Sequence, residues 1–457
     1  MIDLIEKTIQ AEWKIILYRN VIKDPLVQNF LALLKELTRT IPVPSQVLPS
    51  YYNFAAAFID RVSSLADEGG NSWKDYLLHL ILLDENLFSI QAEAHDYSDI
   101  PASLRNMAER DMAELQKLAS LSNLLIRKTL AEKIGNSPET EKLPDWDSVC
   151  LPKAQENIRP EYRQIRRVFE NAPQWETQTP VVAEYYRKNG VGQFGRFYAF
   201  RWVKNGLTGE LTGVKHLDPI QLRHLYEYEL EQGKVIQNTE QFLLGYAANN
   251  VLLYGDRGTG KSSTVKALVN TYGHKGLRLV EVRKQDLGDF PQVVSMLAQR
   301  RQRFILFIDD LSFSEQEGQY CELKALLEGG LEAKPDNVLV YATSNRRHLI
   351  QESFSDRAVI GFDPERDDVR HMDTMEEKLS LADRFGITVT FIAPDKKRYL
   401  SIVDKLALEK GLDIPQEELH QRAIKWEMSF NARSARTAKQ FIDHLEGQLA
   451  MEKGQSI

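Results

Sequence analysis

The sequence predicts an α/β protein in which a parallel β-sheet lies between an all-helical N-terminal region and a helical C-terminal segment. Three observations lead to this prediction. Residues 1–136 show helical periodicity, short β-rich runs alternate with helical stretches from about residue 250 to residue 391, and the pattern after Pro394 is helical. Strands that alternate with helices indicate a parallel sheet with crossover connections.

The N-terminal region contains recognisable helix starts. Asp24 and Pro25 suit the cap and the first turn of a helix, and apolar residues then recur at steps of three and four. Asn71-Ser72 and Asp99-Ile100-Pro101 predict two further starts. Since no motif in residues 1–136 carries chemistry, we expect a recognition or regulatory domain there.

Length and punctuation predict the domain organisation. The chain has 457 residues, which corresponds to about three domains. Repeated prolines in residues 137–206 predict a linker, because proline disfavours both helix interiors and strand ladders. The end of that segment reads as a hairpin of aromatic and basic residues. We therefore expect a helical domain at 1–136, this linker and hairpin at 137–206, a sheet-containing core at 207–392 and a helical lid at 393–457.

Composition excludes several classes of protein. Hydrophobic residues make up 43% and charged residues 27%, which is typical of globular proteins. The net charge of −7 does not favour bulk attraction to nucleic acid. Two isolated cysteines make a disulfide framework improbable, and no apolar run approaches the ~20 residues that a membrane span needs. We expect a cytoplasmic protein with no membrane contact.

Nucleic acid remains an alternative partner for one segment only. Residues 185–206 contain no acidic residue and interleave basic with aromatic side chains, a pattern that suits stacking on single strands. A hairpin whose aromatic side chains pack on the core explains the same pattern and is the favoured interpretation.

A phosphate-binding loop is predicted at residues 255–262, which fit the pattern G-x-x-x-x-G-K-[ST] between a predicted strand at 251–254 and a predicted helix. Glycines let the backbone wrap an anion, and the following helix N-terminus points its N–H groups at the phosphates. Lys261 should reach the β- and γ-phosphates, and the Ser262 hydroxyl should bind Mg²⁺. The predicted binding residues are Gly255, Asp256, Arg257, Gly258, Thr259, Gly260, Lys261, Ser262 and Ser263.

Two carboxylates are predicted to complete this site. An apolar run at 304–308 ends in Asp309 and Asp310, and ligand groups gather at the carboxyl ends of buried parallel strands. Asp309 is placed to hold Mg²⁺, directly or through water, and Asp310 to orient or deprotonate an attacking water. No Asn-Lys-x-Asp signature for guanine follows, so ATP is the expected nucleotide.

These motifs resemble those of the AAA+ ATPases. The amino-acid sequences of residues 249–263, 304–313 and 341–348 are similar to those of an uncharacterised bacterial AAA+ family described as a domain of unknown function. The similarity covers about residues 207–449. The resemblance implies a P-loop NTPase core with a helical lid, and ATP and Mg²⁺ as ligands. It supplies no substrate.

The same resemblance implies roles for three further residues. Asn345 corresponds to the polar sensor residue that lies between the acidic residues of the Walker B motif, here Asp309-Asp310, and the γ-phosphate. Arg384 corresponds to an arginine finger that reaches the nucleotide of the neighbouring subunit. Arg436 corresponds to the lid arginine that contacts the γ-phosphate. The alternatives are Arg346 or Arg347 for the finger and Arg433 for the lid arginine. Either Tyr226 or Tyr228 suits stacking on the base, and both also suit an ordinary core.

We therefore expect an AAA+ ATPase that assembles as a homo-oligomeric ring or spiral and remodels or moves an unknown protein client. One departure leaves an alternative. The family usually carries Asp-Glu where this chain has Asp309-Asp310, and a shorter carboxylate positions water less well. A slow nucleotide-dependent switch or loader that binds a protein or nucleic acid is therefore the second hypothesis.

Overall fold

The computed structural model describes residues 2–40, 43–65, 72–135, 138–148, 159–206, 208–313, 322–324, 327, 335–345, 381, 383–430 and 433–452. The chain divides into two compact units, Met1–Phe197 and Tyr198–Ile457. None of the helices within these described ranges is long and apolar enough to cross a membrane.

The first unit is helical. Its α-helices are α1 (Ile2–Ile9), α2 (Ala11–Lys14), α3 (Arg19–Lys23), α4 (Pro25–Thr38), α5 (Pro44–Leu65), α6 (Trp73–Leu83), α7 (Leu87–Ala94), α8 (Ala102–Ala119), α9 (Asn123–Ile134), α10 (Pro138–Glu141), α11 (Pro160–Asn171), α12 (Thr179–Asn189) and α13 (Gln193–Arg196). Short 3₁₀ turns lie at Tyr97–Asp99, Trp146–Ser148 and Glu176–Gln178.

The helix starts predicted for this unit are confirmed. The Asp24 carboxylate caps α4 by accepting the backbone N–H groups of Leu26 and Val27 at 2.9 and 3.2 Å. Ser72 caps α6 in a reciprocal arrangement with Asp75, which satisfies donors that the first turn leaves without intrahelical partners. The predicted apolar stripe of α4 is fully buried in the helical core: Leu26, Phe30, Leu33, Leu34 and Leu37.

Part of the segment predicted as a linker is instead helical. Helices α11 and α12 occupy residues 160–171 and 179–189, and their apolar side chains belong to the core of the first unit. The physical reason is the position of the prolines. Pro160 and Pro180 lie in the first turns of these helices, where the missing N–H is not needed and the fixed φ favours the helix.

The second unit contains a seven-stranded sheet within the described residues. Its strands are β1 (Ala199–Asn205), β2 (Thr208–Gly213), β3 (Val251–Gly255), β4 (Leu277–Glu281), β5 (Arg303–Ile308), β6 (Val338–Ser344) and β7 (Ile387–Phe391). The order is β2-β1-β4-β5-β6-β3-β7. Only the β1–β2 pair is antiparallel, so the predicted parallel sheet is confirmed.

The first two strands form a hairpin that belongs to the sheet. Strand β1 pairs in parallel with β4, so the sheet begins at Ala199, ahead of the boundary predicted at residue 207. Trp202 is buried, its Nε1 donates to Asp289 at 3.0 Å, and a Cβ on Gly209 would lie only 1.9 Å from its ring. Lys204 forms an ion pair with the same Asp289 at 3.0 Å. The Trp202 ring of this hairpin is therefore packed inside the second unit.

The helices described in the second unit either contact strands of the sheet or form a separate C-terminal cluster. They are α14 (Glu229–Leu243), α15 (Lys261–Tyr272), α16 (Phe290–Ala298), α17 (Lys396–Glu409), α18 (Gln416–Phe430) and α19 (Ala435–Glu452), with 3₁₀ turns at Leu222–His224, Gly273–Lys275 and Lys284–Asp289. Helices α17 to α19 share their own apolar core, which includes Ile402, Ala423 and Phe441. This C-terminal cluster is the predicted helical lid.

A buried carboxylate holds the turn between helices α2 and α3 of the first unit. Asp111 in α8 accepts the backbone N–H groups of Ile16, Leu17 and Tyr18 at 2.6 to 3.1 Å. Burial raises the pKa of this carboxyl, and the N–H donors oppose that rise. These donors lie between two helices, so Asp111 supplies an acceptor that the turn itself lacks.

We expect Asp111→Ala to lower the free energy of unfolding by about 3 kcal/mol, because buried N–H groups lose their acceptor. Urea denaturation of the full chain, followed by far-ultraviolet circular dichroism, measures this loss. Asp99→Ala, at an exposed aspartate, is the matched control and should stay within about 0.5 kcal/mol of the parent. Equal unfolding midpoints for the two variants would contradict the assigned role of Asp111.

Candidate nucleotide-binding site

The predicted phosphate loop connects the end of β3 to the start of α15. Gly255 has φ of 132°, and a Cβ there would lie 2.0 Å from the Phe391 carbonyl oxygen of β7. Gly258 has φ of 77°, and its Cβ would lie 2.8 Å from Ser434 Oγ at the start of the last lid helix. Both positions require glycine, because a side chain is excluded by the backbone conformation and by close neighbours. The loop is therefore held tightly between β7 and the lid.

Lys261 begins α15 and is buried. Its Nζ donates to the carbonyl oxygens of Gly255 and Asp256 at 2.9 and 2.6 Å, and to Asn345 Oδ1 at 3.0 Å. Burial lowers the pKa of this ammonium group, whereas the nearby carboxylates, Asp256 first, raise it. The lysine thus links the loop to the end of β6.

Asp309 and Ser262 lie in direct contact. Ser262 Oγ donates to Asp309 Oδ1 at 2.5 Å, and Thr343 Oγ1 donates to the same oxygen at 2.6 Å. Thr343 also accepts the backbone N–H of Asp310 at 3.0 Å. Since these residues come from α15, β6 and the end of β5, the carboxylate is fixed from both sides.

Asp310 differs from its neighbour in both backbone and exposure. Its φ is 51°, in the left-handed region that is unusual for a residue with a Cβ. Its carboxylate is exposed and accepts Asn345 Nδ2 at 2.7 Å. Asn345 therefore bridges Lys261 and Asp310 through the two ends of its amide.

The donor set beside the loop fits Mg²⁺. A serine hydroxyl and a carboxylate are hard oxygen ligands, and Mg²⁺ in nucleotide sites is commonly held by one or two such protein groups together with phosphate oxygens and water. Ser262 and Asp309 already lie within 2.5 Å of one another, so the same ion can contact both groups.

A pocket of about 860 Å³ extends from the loop to the lid. Its phosphate end is formed by the loop together with Asp309, Asp310, Thr343 and Asn345. Its other end combines apolar with charged side chains: Ile220, Leu225, Tyr226, Tyr228, Ile402, Leu406, Glu409, Lys410, Lys439, Ile442 and Asp443. This lining suits a ligand that is anionic at one end and has both apolar surface and polar groups at the other.

The remaining predicted loop residues take different positions. Arg257, Thr259 and Ser263 line the pocket, and Thr259 Oγ1 donates to the Asp256 carbonyl oxygen at 2.8 Å. Asp256 does not belong to the pocket lining, and its carboxylate accepts the backbone N–H of Ala393 at 2.7 Å. Asp256 thus fixes the loop to the segment that leads into the lid.

The predicted arginines are separated. Arg436 lines the pocket, and its backbone N–H donates to the Gly258 carbonyl oxygen at 3.2 Å. The alternative, Arg433, is paired with Glu427 at 2.6 Å. Arg384 is half-buried and does not belong to the pocket lining. Arg346 and Arg347, the other candidates for a finger, lie outside the described residues.

Sequence reasoning assigned no role to Thr343 or to the charged residues of the lid. Thr343 lies near the end of β6, two residues before Asn345, and this position close to the carboxyl end of a predicted strand was the available signal. The lid residues Glu409, Lys410, Lys439 and Asp443 carry no motif, and only the packing of three helices brings them to the pocket.

The fold and the loop together place the chain in the AAA+ class of P-loop folds. Strand β3, which precedes the loop, lies between β6 and β7. Strand β5, which precedes Asp309 and Asp310, lies on the other side of β6, and a helical lid follows the sheet along the chain. Within this class, the chain belongs to the family described as "Protein of unknown function (DUF815)", whose profile matches residues 195–449.

Solved structures similar to this chain include RuvB from Thermotoga maritima. Two single-substitution variants share 16% identity with a TM-score of 0.37, and the alignments cover 51% and 52% of this chain and 67% and 68% of theirs. The RuvB Holliday junction branch migration motor shares 15% identity with a TM-score of 0.31, covering 50% of this chain and 72% of its own. No curated protein matches the chain.

We expect Thr343→Val to destabilise the end of β6 by about 2 kcal/mol, because the Asp310 N–H and the Asp309 carboxylate each lose a partner while the side-chain volume is kept. Thermal and urea unfolding of the full chain measure the change. The control is Thr388→Val at an exposed position of β7, where valine should cost little. A Thr343→Val protein as stable as this control would show that the hydroxyl contributes nothing.

Proposed function

We propose that this protein is a Mg²⁺-dependent ATPase that binds ATP in the pocket between the phosphate loop and the lid. The observation that supports this most strongly is the convergence of Lys261, Ser262, Asp309, Asp310 and Asn345, which come from distant parts of the sequence and are connected by hydrogen bonds of 2.5 to 3.0 Å. Each carries a group of the type that phosphoryl transfer requires.

The chain's own groups have separate tasks in this proposal. The loop N–H groups and the Lys261 ammonium bind the β- and γ-phosphates, and the Arg436 side chain reaches the γ-phosphate from the lid. Ser262 and Asp309 hold Mg²⁺, which neutralises charge on the phosphates when bound. Asp310 and Asn345 orient a water molecule in line with the γ-phosphate. Catalysis is then mostly positional and electrostatic.

Adenine is the proposed base, and Tyr226 the residue that stacks on it. Tyr228 also lines the pocket, but it is buried, its ring lies 5.4 Å from that of Phe391, and its hydroxyl donates to the Ile392 carbonyl oxygen. Tyr226 is half-buried and so keeps surface available to a ligand. The nearby apolar side chains Ile220 and Leu225 support a flat, uncharged base.

We further propose that the protein works as a homo-oligomeric ring or spiral in the cytoplasm and uses hydrolysis to remodel or move a protein client. A finger that acts in a neighbouring subunit need not line its own pocket, and Arg384 does not. A slow nucleotide-dependent switch is the second candidate, favoured by the short Asp310 side chain and its hydrogen bond to Asn345.

We expect Lys261→Ala to abolish ATP binding, since the main cation at the phosphate end is removed. Asp310→Asn should still bind ATP, but its turnover should fall at least 100-fold, which is roughly the lower end of general-base contributions. Calorimetric titration with Mg·ATP and phosphate release measure the two effects. Lys234→Ala and Asp336→Asn, both at exposed positions, are the matched controls. Phosphate release at the parental rate from the Lys261→Ala protein would rule out this site as the source of hydrolysis.

A finger that acts in trans predicts rescue by mixing. Arg384→Ala and Lys261→Ala subunits should each be inactive alone, whereas mixed assemblies should recover part of the activity, because an intact Arg384 then faces an intact phosphate loop. ATP turnover of mixtures at several ratios, with assembly followed by light scattering, measures this. Arg422→Ala, at an exposed ion-paired arginine, serves as the control. Intact assembly without rescue would count against Arg384.

A further inference from the structure

The segment that precedes α14 contains a second residue in an unusual backbone conformation. Glu227 has φ of 69°, and within the described residues it shares this feature with Asp310 alone among the non-glycine residues. A residue with a Cβ is destabilised in this region and stays there only when its surroundings hold it. The contacts of Glu227 therefore identify what holds it.

Lid helix α17 supplies those contacts. The Glu227 carboxylate accepts Ser401 Oγ at 2.6 Å and Lys405 Nζ at 2.7 Å, and the Glu227 carbonyl oxygen accepts Arg398 Nη2. The three donors recur at spacings of three and four, so they share one face of the helix. The hydrogen bonds from Lys405 and Ser401 lower the pKa of Glu227, so the carboxylate remains charged at neutral pH.

The residues on either side of Glu227 face the pocket instead. Tyr226 and Tyr228 belong to the pocket lining, and the Glu227 side chain does not. Tyr226 is held by the same helix, because its hydroxyl donates to Glu409 Oε2 at 3.1 Å and Lys405 Nζ lies 5.5 Å from its ring centre. The left-handed turn thus directs one side chain to the lid and its two neighbours to the ligand.

Helix α17 also contributes its own side chains to the pocket. Ile402, Leu406 and Glu409 line the end opposite to the phosphate loop, and they alternate along the helix with the residues that hold Glu227. Any displacement of α17 therefore moves the lid side chains and Tyr226 together.

We propose that Glu227 is a positioning residue that fastens the base-stacking segment to lid helix α17, so that recognition of the base and placement of the lid form one event. This inference rests on the proposed ATP site. The contacts of Glu227 with Arg398, Ser401 and Lys405 are called the Glu227 clamp, and we expect the part of the binding free energy that the base contributes, but not the part that the phosphates contribute, to depend on it. Its ligand class is a purine nucleoside triphosphate.

Glu227→Gly tests the clamp directly, because glycine adopts the left-handed backbone without strain and removes the whole side chain with its carboxylate, while the carbonyl oxygen that accepts Arg398 stays. Calorimetric titration of the full chain with Mg·ATP and, separately, with magnesium tripolyphosphate measures the base-dependent and base-independent parts of binding. We expect roughly tenfold weaker ATP binding, the effect of losing one charge-assisted interaction, and unchanged tripolyphosphate binding. Glu231→Gln, which removes a carboxylate charge outside the pocket lining, is the control and should bind both ligands as the parent does.

Charge exchange provides the second measurement. Glu227→Lys should weaken ATP binding, and adding Lys405→Glu to it should restore part of the lost affinity, since the pair is re-formed with opposite signs. Unchanged ATP binding by Glu227→Gly, or an equal loss for ATP and tripolyphosphate, would overturn the clamp.

The parent protein separates this inference from the proposed function. If it binds neither ATP nor tripolyphosphate, the ATP site itself is wrong. If it binds both with equal affinity, the phosphate site stands and the clamp is overturned, because the base then contributes nothing.

Discussion

The parallel pairing of β3 with β6, and of β6 with β5, is the constraint on which the candidate site depends. Leu253 is opposite Thr343, and Ile308 is opposite Ala342, so the three strands end at nearly the same level. Side chains that follow each strand must therefore meet at one edge of the sheet. Lys261, Asp309 and Asn345 lie far apart in sequence and become neighbours for this reason alone.

The same constraint sets the electrostatics of the edge. The acceptors of the Lys261 ammonium are two carbonyl oxygens and one amide oxygen, so its hydrogen bonds are satisfied by neutral groups. A buried cation without such acceptors is strongly destabilised. Neutral acceptors stabilise the ammonium without pairing it directly with a carboxylate, so its hydrogen-bond partners do not cancel its attraction to an anion. The neighbouring Asp309 is held by hydroxyl donors in the same manner.

The fold was predictable where local pattern and global packing agree. The buried parallel strands are continuous apolar runs, and the phosphate loop carries its own glycine signature, so the sheet and the P-loop class followed from sequence. The helices at 160–189 did not, because their prolines read as breaks although Pro160 and Pro180 occupy first turns. The partnership of Thr343 with Asp309 and the clamp at Glu227 depend on tertiary contacts between distant segments. No local pattern encodes such contacts.

Within the proposed ATPase, the two adjacent carboxylates differ in what fixes them. Asp309 accepts hydroxyl donors from α15 and β6, which suits a fixed ligand for a cation. Asp310 is exposed, and its main constraint is a backbone with φ of 51° together with one amide hydrogen bond. An aspartate is one methylene shorter than the glutamate usual in the AAA+ class, so it reaches a water less easily from an extended backbone. The left-handed conformation redirects the whole residue away from the strand, and it costs roughly 1 kcal/mol. In the proposed ATPase, backbone geometry thus replaces side-chain length at the position where Asp310 is proposed to meet water.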